Sequence, residues 1–248
     1  MLFIVLPAYN EELNIGSLLD RIQQAVASPY QVLVVNDGST DGTVPVVNSC
    51  SERIPLELLD HGVNRGLGQA ITTGLRRAVD LASEDDVIVT MDADNTHDPA
   101  LIGKMVEGIR RGLDVVIASR YAPGGGEVGL SWMRHVFSRG ASLLLRLFFP
   151  IPGVRDYTCG YRAYRGAILK QAFAAYGGRF IEESGFPCMA EILIKLRSLS
   201  ARMGEVPLVL RYDLKSGSTK MKVTRTIGRY GVLIARNWRR RPLSQGLP

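Results

Sequence analysis

Cysteine is scarce in this chain of 248 residues: there are three, at positions 50, 159 and 188, an odd number without metal-ligand spacing. That excludes a disulfide framework and a zinc ribbon, and the expectation is buried thiols in a reducing cytosol. Also missing is any apolar run of the roughly 20 residues that a membrane-spanning helix needs. The opening MLFIVLPAYNEE has no basic segment ahead of its apolar run, so it does not read as a signal peptide. Neither GxGxxG after the first strand nor GxxxxGKS occurs, which argues against a dehydrogenase and a P-loop enzyme. Without an aromatic stacking platform or a nucleic-acid motif, no nucleic-acid partner is expected.

What the chain does hold is enough apolar residue, 46%, to bury one good core with a peripheral extension. Its net charge of +6 is unevenly placed. Residues 195–248 contain 13 Lys and Arg against Glu205 and Asp213, so the first 194 residues balance at −5. The basic character is therefore local, as suits an anionic membrane surface, a nucleic acid or only a solvated helix face.

Strand and helix patterns alternate through the first half. Apolar runs at Leu2 to Leu6, Gln31 to Val35, Leu56 to Leu59, from Val87, and Asp114 to Ala118 read as strands. Helical spacing falls between them, from Ile15, Thr43, Gly68 and Pro99. This predicts an α/β fold with a mostly parallel sheet flanked by helices. Beyond Tyr121 the alternation stops: ProGlyGlyGlyGlu reads as a flexible loop, and Trp132 to Phe149 as an amphipathic helix. A loop with a short strand follows at 151–165, then a helix over Pro187 to Arg197, a strand over Val206 to Tyr212, a second loop, and a helical Met221 to Arg241.

The stretch Val87 to Pro99, VIVTMDADNTHDP, stands out because a buried-looking strand ends in Asp92 and Asp94. Ligands sit at strand ends in open α/β sheets, and two adjacent carboxylates call for a cation or a dense set of donors. Three other polar groups follow strands or open helices on the same pattern: Pro7 to Glu11, Asp37 with Gly38, and Asn64 to Gly66. Tyr9 offers a flat face for a base, and the Asp37 carboxylate an acceptor for the N–H edge of guanine or uracil.

As a set, PAYNEE, VVNDGSTDGT, NRGLGQA, MDAD, ASRY and DYTCGYRAYR resemble family 2 of the inverting nucleotide-sugar glycosyltransferases, from residue 2 to about 223. Within that family the chain is most similar to the dolichol- or polyprenol-phosphate mannosyltransferases. The resemblance implies a Rossmann-like GT-A fold and transfer of mannose from GDP-mannose to a dolichyl or polyprenyl phosphate, with inversion and Mg²⁺ or Mn²⁺. It implies that Pro7, Tyr9, Glu11, Val35 and Asp37 hold the nucleoside, with Gly66 also in the nucleotide-sugar site. Asp92, Ala93 and Asp94 would hold ribose, diphosphate and metal. Thr96 stands where relatives often have Gln or Ser as a further metal ligand, and Asn95 and His97 compete for that role.

For the acceptor, Arg120, Arg134 and Ser138 match the positions that grip a lipid phosphate, a task suited to the planar guanidinium fork. Glu191 occupies the place of an acidic residue in the helix after GlyPhePro, or is a surface residue at helical spacing. Lys220 fits the lysine of the family's mobile loop, whereas Leu214 stands where its arginine would be, with Lys215 beside it. Asp92, Asp94, Arg120 and Lys220 are thus the expected catalytic set. The expected organisation is a GT-A domain over 1–223, with a nucleotide-sugar half (1–121) and an acceptor half (122–223), then a basic amphipathic helix and tail (224–248). Leu143 to Phe149 with Ile151 and Val154, and the basic stretch from Arg225 to Arg241, would meet the cytosolic face of a membrane. That makes the protein peripheral or reliant on a membrane-anchoring partner. A sister enzyme using UDP-glucose or a soluble acceptor would need a base, with Asp156 or Glu191 as candidates; a non-catalytic nucleotide-binding or nucleic-acid-binding protein is the remaining alternative.

Overall fold

The computed structural model describes residues 1–129, 132–214 and 223–239; the side chains of 132–136, 223–227 and 239 lie outside that description. Five strands alternating with four helices open the chain: β1 (Leu2–Ala8), α1 (Ile15–Ala25), β2 (Tyr30–Asn36), α2 (Thr43–Ser51), β3 (Leu56–Asp60), α3 (Leu67–Leu81), β4 (Val87–Thr90), α4 (Leu101–Arg110) and β5 (Val115–Ser119). The second half adds β6 (Gly126–Val128), α5 (Trp132–Phe148), β7 (Arg162–Arg165), α6 (Gly166–Tyr176), α7 (Cys188–Ser198), β8 (Met203–Pro207), β9 (Val209–Arg211) and α8 (Val223–Arg239).

Seven strands form one sheet in the order β3-β2-β1-β4-β7-β5-β8, parallel except for β7. Fully buried Ile4, Val5, Leu6, Leu33, Val34, Ile88, Val89 and Ile117 make the continuous apolar runs expected of strands covered on both faces. Pro7 is compatible with a central strand because β4 pairs with β1 only as far as Val5, so no ladder donor is needed on that side. The single reversed strand has a topological consequence. β7 starts at the edge where β1, β2, β4 and β5 end, so the segment leading into it, 156–161, is delivered beside the residues that follow those strands.

The structure departs from the pattern reading at four places. The strand expected over Val206 to Tyr212 is two: β8 ends the main sheet, and after Leu208 the chain moves to β9, which pairs in parallel with β6. The glycine-rich loop after Tyr121 therefore carries strand β6. Helix α6 has no counterpart in the sequence reading, although Ile168, Leu169 and Ala172 are buried on one face. On α5, Leu143, Leu144 and Leu147 are exposed, but Phe149, Ile151 and Val154 lie in the core and face no interface. No helix among the described residues is long and apolar enough to cross a membrane. Cys50, Cys159 and Cys188 are buried free thiols, and burial pushes that of Cys159 up to about 12.

Candidate functional site

Three strand ends build the first part of the site. Asp37, one residue past β2, is almost fully buried. Its Oδ1 accepts from Arg65 N–H at 2.9 Å and lies 2.8 Å from His61 Nδ1, and its Oδ2 accepts from Gly66 N–H at 2.9 Å. A carboxylate has about four acceptor sites, so roughly one remains for a ligand. The other His61 nitrogen lies 2.9 Å from Thr73 Oγ1 on α3, which ties β3, α3 and the turn at 64–66 to one carboxylate. Gly66 has φ +91°, and a Cβ there would fall 2.6 Å from the Ser184 carbonyl oxygen, so only glycine makes this turn.

Tyr9 is half-buried at the same edge. Glu11 is not open to a ligand in the same way: it is buried, accepts from Asn14 Nδ2 at 2.8 Å, and its own N–H donates to Thr43 Oγ1. Val35 has no exposed side chain at all and lies over α3 where Gly74 leaves space, so its side chain packs the sheet and does not reach a nucleoside.

After β4 the backbone places Asp92 and Asp94 outward on either side of the buried Ala93. The Asp92 side chain is 37% exposed. Asp94 Oδ1 accepts from the Thr96 hydroxyl at 2.7 Å and from Thr96 N–H at 3.3 Å. Buried Thr96 therefore donates to Asp94 and orients it. His97 accepts the Asp92 N–H at 3.3 Å through Nδ1 and stacks on Tyr161, with ring centroids 5.0 Å apart. Asn95, at φ +64°, accepts from Arg21 of α1 at 2.7 Å. Both residues that competed as further metal ligands are thus engaged in shaping the loop. Among the described residues no cluster of three or more His, Cys, Asp or Glu is placed to hold a metal ion. Two carboxylates at a strand end are nevertheless hard oxygen donors of the kind Mg²⁺ and Mn²⁺ take, with phosphates completing the shell.

Across from this pair, Arg120 follows β5 and is buried. Its Nε and Nη2 donate to the two Asp156 oxygens at 2.7 and 2.8 Å, Nη2 also to Thr158 Oγ1 at 2.6 Å, and Nη1 to Glu127 at 3.0 Å. Four of its five donors are committed to the protein, so Arg120 organises this region more than it presents an open fork. Burial works against the Asp156 charge, but Arg120 and backbone donors hold its carboxyl below the ordinary range. A buried, paired, ionised Asp156 is not placed to act as a base. Ser138 on α5 accepts from the Tyr121 hydroxyl at 2.8 Å and lies 3.2 Å from Thr158 Oγ1. Burial pushes the Tyr121 phenol up to about 12, so it stays a donor. Exposed Arg139 reaches over the Tyr121 ring, 5.6 Å from its centroid, an association that the motif reading missed because Arg139 looked like any arginine on an amphipathic helix. The Arg134 side chain and Lys220 lie outside the described residues, as do Lys215 and 240–248.

Glu191 is neither a surface residue nor a base. Its side chain is fully buried; Oε2 accepts from the N–H groups of Glu182 and Glu183, and Oε1 from Lys195 and Arg236, all at 2.8 Å. Arg229 and Arg236, expected to face headgroups, instead pair with Glu183 at 3.2 and 3.1 Å.

A family model described as Glycosyl transferase family 2 matches residues 3–173. Among curated proteins, dolichol-phosphate mannosyltransferase of Pyrococcus furiosus is 31% identical over 221 residues, covering 88% of this chain and 58% of that protein. Polyprenol monophosphomannose synthase of Mycolicibacterium smegmatis is 33% identical over 174 residues, covering 68% and 63%. Undecaprenyl-phosphate mannosyltransferase of Micrococcus luteus is 33% identical over 218 residues, covering 88% and 86%. The chain thus spans less than two thirds of the first two relatives. Glucosyl-3-phosphoglycerate synthase from Mycobacterium tuberculosis, solved with Mn²⁺, uridine diphosphate and phosphoglyceric acid, superposes with a TM-score of 0.69 at 20% identity, covering 100% of this chain and 81% of that one. The same enzyme has been solved with Mg²⁺ and uridine diphosphate, and its likeness establishes the GT-A fold.

Proposed function

The chain belongs to glycosyl transferase family 2, and on that premise we propose that it transfers mannose from GDP-mannose to a dolichyl or polyprenyl phosphate. The observation that carries this reading is the meeting, at one sheet edge, of a carboxylate at Asp37 with an acceptor position to spare, a carboxylate pair at Asp92 and Asp94, and a cluster of hydroxyl and guanidinium groups around Arg120. The names of the three relatives supply the sugar and the class of acceptor.

In this reading Tyr9 and the remaining acceptor site of Asp37 receive the nucleobase, Pro7 and Gly66 shape the turns beside them, and buried Glu11 and Val35 support those turns from within. Asp92 and Asp94, with Ala93 between them, would hold Mg²⁺ or Mn²⁺ at the donor diphosphate site, and Thr96 orients Asp94. When bound, the ion neutralises charge that develops on the departing nucleoside diphosphate. Ser138, Tyr121 and Arg139, with Arg134 beside them in sequence, receive the acceptor phosphate, while Arg120 fixes the floor beneath it. Lys220 is assigned to the donor phosphates.

A phosphate acceptor is already an anion near neutral pH, so the reaction requires positioning and not a general base. This agrees with the burial of Asp156 and Glu191, the two carboxyls a hydroxyl acceptor would have called on. One phosphate oxygen attacks the anomeric carbon as the bond to the diphosphate breaks, in a single step with inversion. A mannosyl product that kept the donor's α configuration would rule this mechanism out. Exposed Leu143, Leu144 and Leu147 on α5 give the acceptor half an apolar face for peripheral contact with the cytosolic side of a membrane, with or without an anchoring partner. The organisation proposed is a donor half over 1–121, an acceptor half over 122–223, and a C-terminal helix and tail.

The test is incubation with radiolabelled nucleotide sugars, one at a time, plus polyprenyl phosphate and Mn²⁺. Label from GDP-mannose should enter the organic phase. Label from UDP-glucose instead would reassign the donor, and transfer confined to water-soluble phosphates would reassign the acceptor.

A further inference from the structure

The segment 182–185 is held from two sides by a partly buried ionic network. Glu191 grips its backbone from α7, and Lys195 Nζ binds Glu191 at 2.8 Å and Glu182 at 3.0 Å. From α8, Arg229 pairs with Glu183 at 3.2 Å and donates to Ser184 Oγ at 2.7 Å, and Arg236 bridges Glu183 and Glu191. Three carboxylates face three cations, so the cluster is neutral as a whole.

What this segment touches is the donor turn. Gly68 N–H donates to the Ser184 carbonyl at 3.0 Å. A Cβ on Gly68 would collide with the Glu183 carbonyl oxygen, and one on Gly66 would lie 2.6 Å from that of Ser184. A Cβ on Gly185 would sit 3.1 Å from Arg229 Nη1, so the guanidinium also lies close against this backbone. Backbone meets backbone here with no room for slippage, and closely packed elements shift together. One step further, Arg65 and Gly66 N–H groups hold the Asp37 carboxylate at 2.9 Å. A continuous line of contacts thus runs from α8 through Ser184 and the 64–68 turn to Asp37.

We infer that Arg229 is a positioning residue for the donor nucleotide: through Glu183 and Ser184 it clamps the 64–68 turn, and that turn sets the orientation of Asp37. The inference deepens the proposed donor site and rests on it. Losing Arg229 also leaves the network with one excess negative charge near a site that must accept an anionic diphosphate, so both geometry and charge act in the same direction.

The experiment measures GDP and UDP binding, each with Mn²⁺, to the full chain and to Arg229→Gln, Arg229→Lys and Ser184→Ala, together with amide exchange over 64–68. Arg229→Gln should weaken binding of the cognate nucleotide about tenfold, close to 1.4 kcal/mol. Arg229→Lys, which keeps the charge, should recover part of that loss, and Ser184→Ala should lose less than Arg229→Gln. Exchange over 64–68 should accelerate in Arg229→Gln while that of β1 stays as it was. Unchanged nucleotide affinity and unchanged 64–68 exchange in a folded Arg229→Gln protein would overturn the inference. A wild-type chain that binds neither nucleotide would overturn the donor-site reading instead, and the exchange rates would still decide whether Arg229 clamps the turn.

Discussion

The two sides of the site are built from different materials. On the donor side, through residue 97, geometry comes mainly from backbone N–H groups and a glycine with positive φ: the amides of residues 65 and 66 hold Asp37 from 28 and 29 positions away, and Thr96 holds Asp94 from two. On the acceptor side geometry comes from buried charges, Arg120 paired with Asp156 across 36 residues and with Glu127 across seven. Backbone turns are specified locally and tolerate little change of residue. Buried ion pairs are specified only by the completed fold, and breaking one leaves its partner uncompensated.

The sharpest way to separate the two is to remove one donor-side group that plays no part in the core. Asp94→Ala should lower transfer by about a thousandfold or more, the loss of several kcal/mol expected when a metal-holding carboxylate goes. Its melting temperature should stay within a few degrees of wild type; retained activity would move the metal elsewhere. On the acceptor side the effect should appear first in stability. Asp156→Asn strands a buried guanidinium and should cost about 3–5 kcal/mol in denaturant unfolding. Because the Asp156 carboxyl is held below its unfolded value, its contribution is present above the unfolded carboxylate range and is lost as pH falls through the lower folded value. The wild type should therefore lose stability in acid more steeply than Asp156→Asn does.

A smaller effect tests whether the donor turn depends on backbone conformation alone. Gly66→Ala should cost about 1–3 kcal/mol, from the strained φ and the close Ser184 carbonyl, with nucleotide affinity falling in step. The smallest change in the fold itself is expected at the apolar face of α5. Leu147, 77% exposed, can become Glu with a stability change within about 0.5 kcal/mol, while binding to anionic vesicles at low salt should fall several-fold. Undiminished vesicle binding would take α5 out of any membrane contact.

The same division explains what could be read from the residues alone. The alternation of strands and helices, and the polar groups after β2 and β4, were legible because turn chemistry and apolar periodicity are local signals. Glu11 and Val35 were assigned to the nucleoside by resemblance, but no local pattern reveals that Glu11 is buried beside Thr43 or that the Val35 side chain faces α3. Arg120 and Glu191 were misjudged for one reason: a charged side chain in a sequence carries no mark of the opposite charge that will bury it. The small sheet of β6 and β9 was hidden because its strands have three residues each and are paired across more than 80 positions. His61 gave no signal beyond its place after β3, and its link to Asp37 appears only when β2 and β3 lie side by side.

The reversed strand β7 has a consequence for how such a protein changes over time. It re-enters between β4 and β5, so the excursion from 120 to 161 leaves and returns at one edge without altering the register of any donor-side strand. Length changes near exposed Pro123 and Gly124 leave that register alone, whereas Phe149, Ile151, Val154 and Asp156 later in the excursion are buried and tie it to the core. The segments before and after Tyr121 are joined through two strands of one sheet, antiparallel β7 between β4 and β5 and parallel β8 beside β5, so they share one core and are stitched together twice.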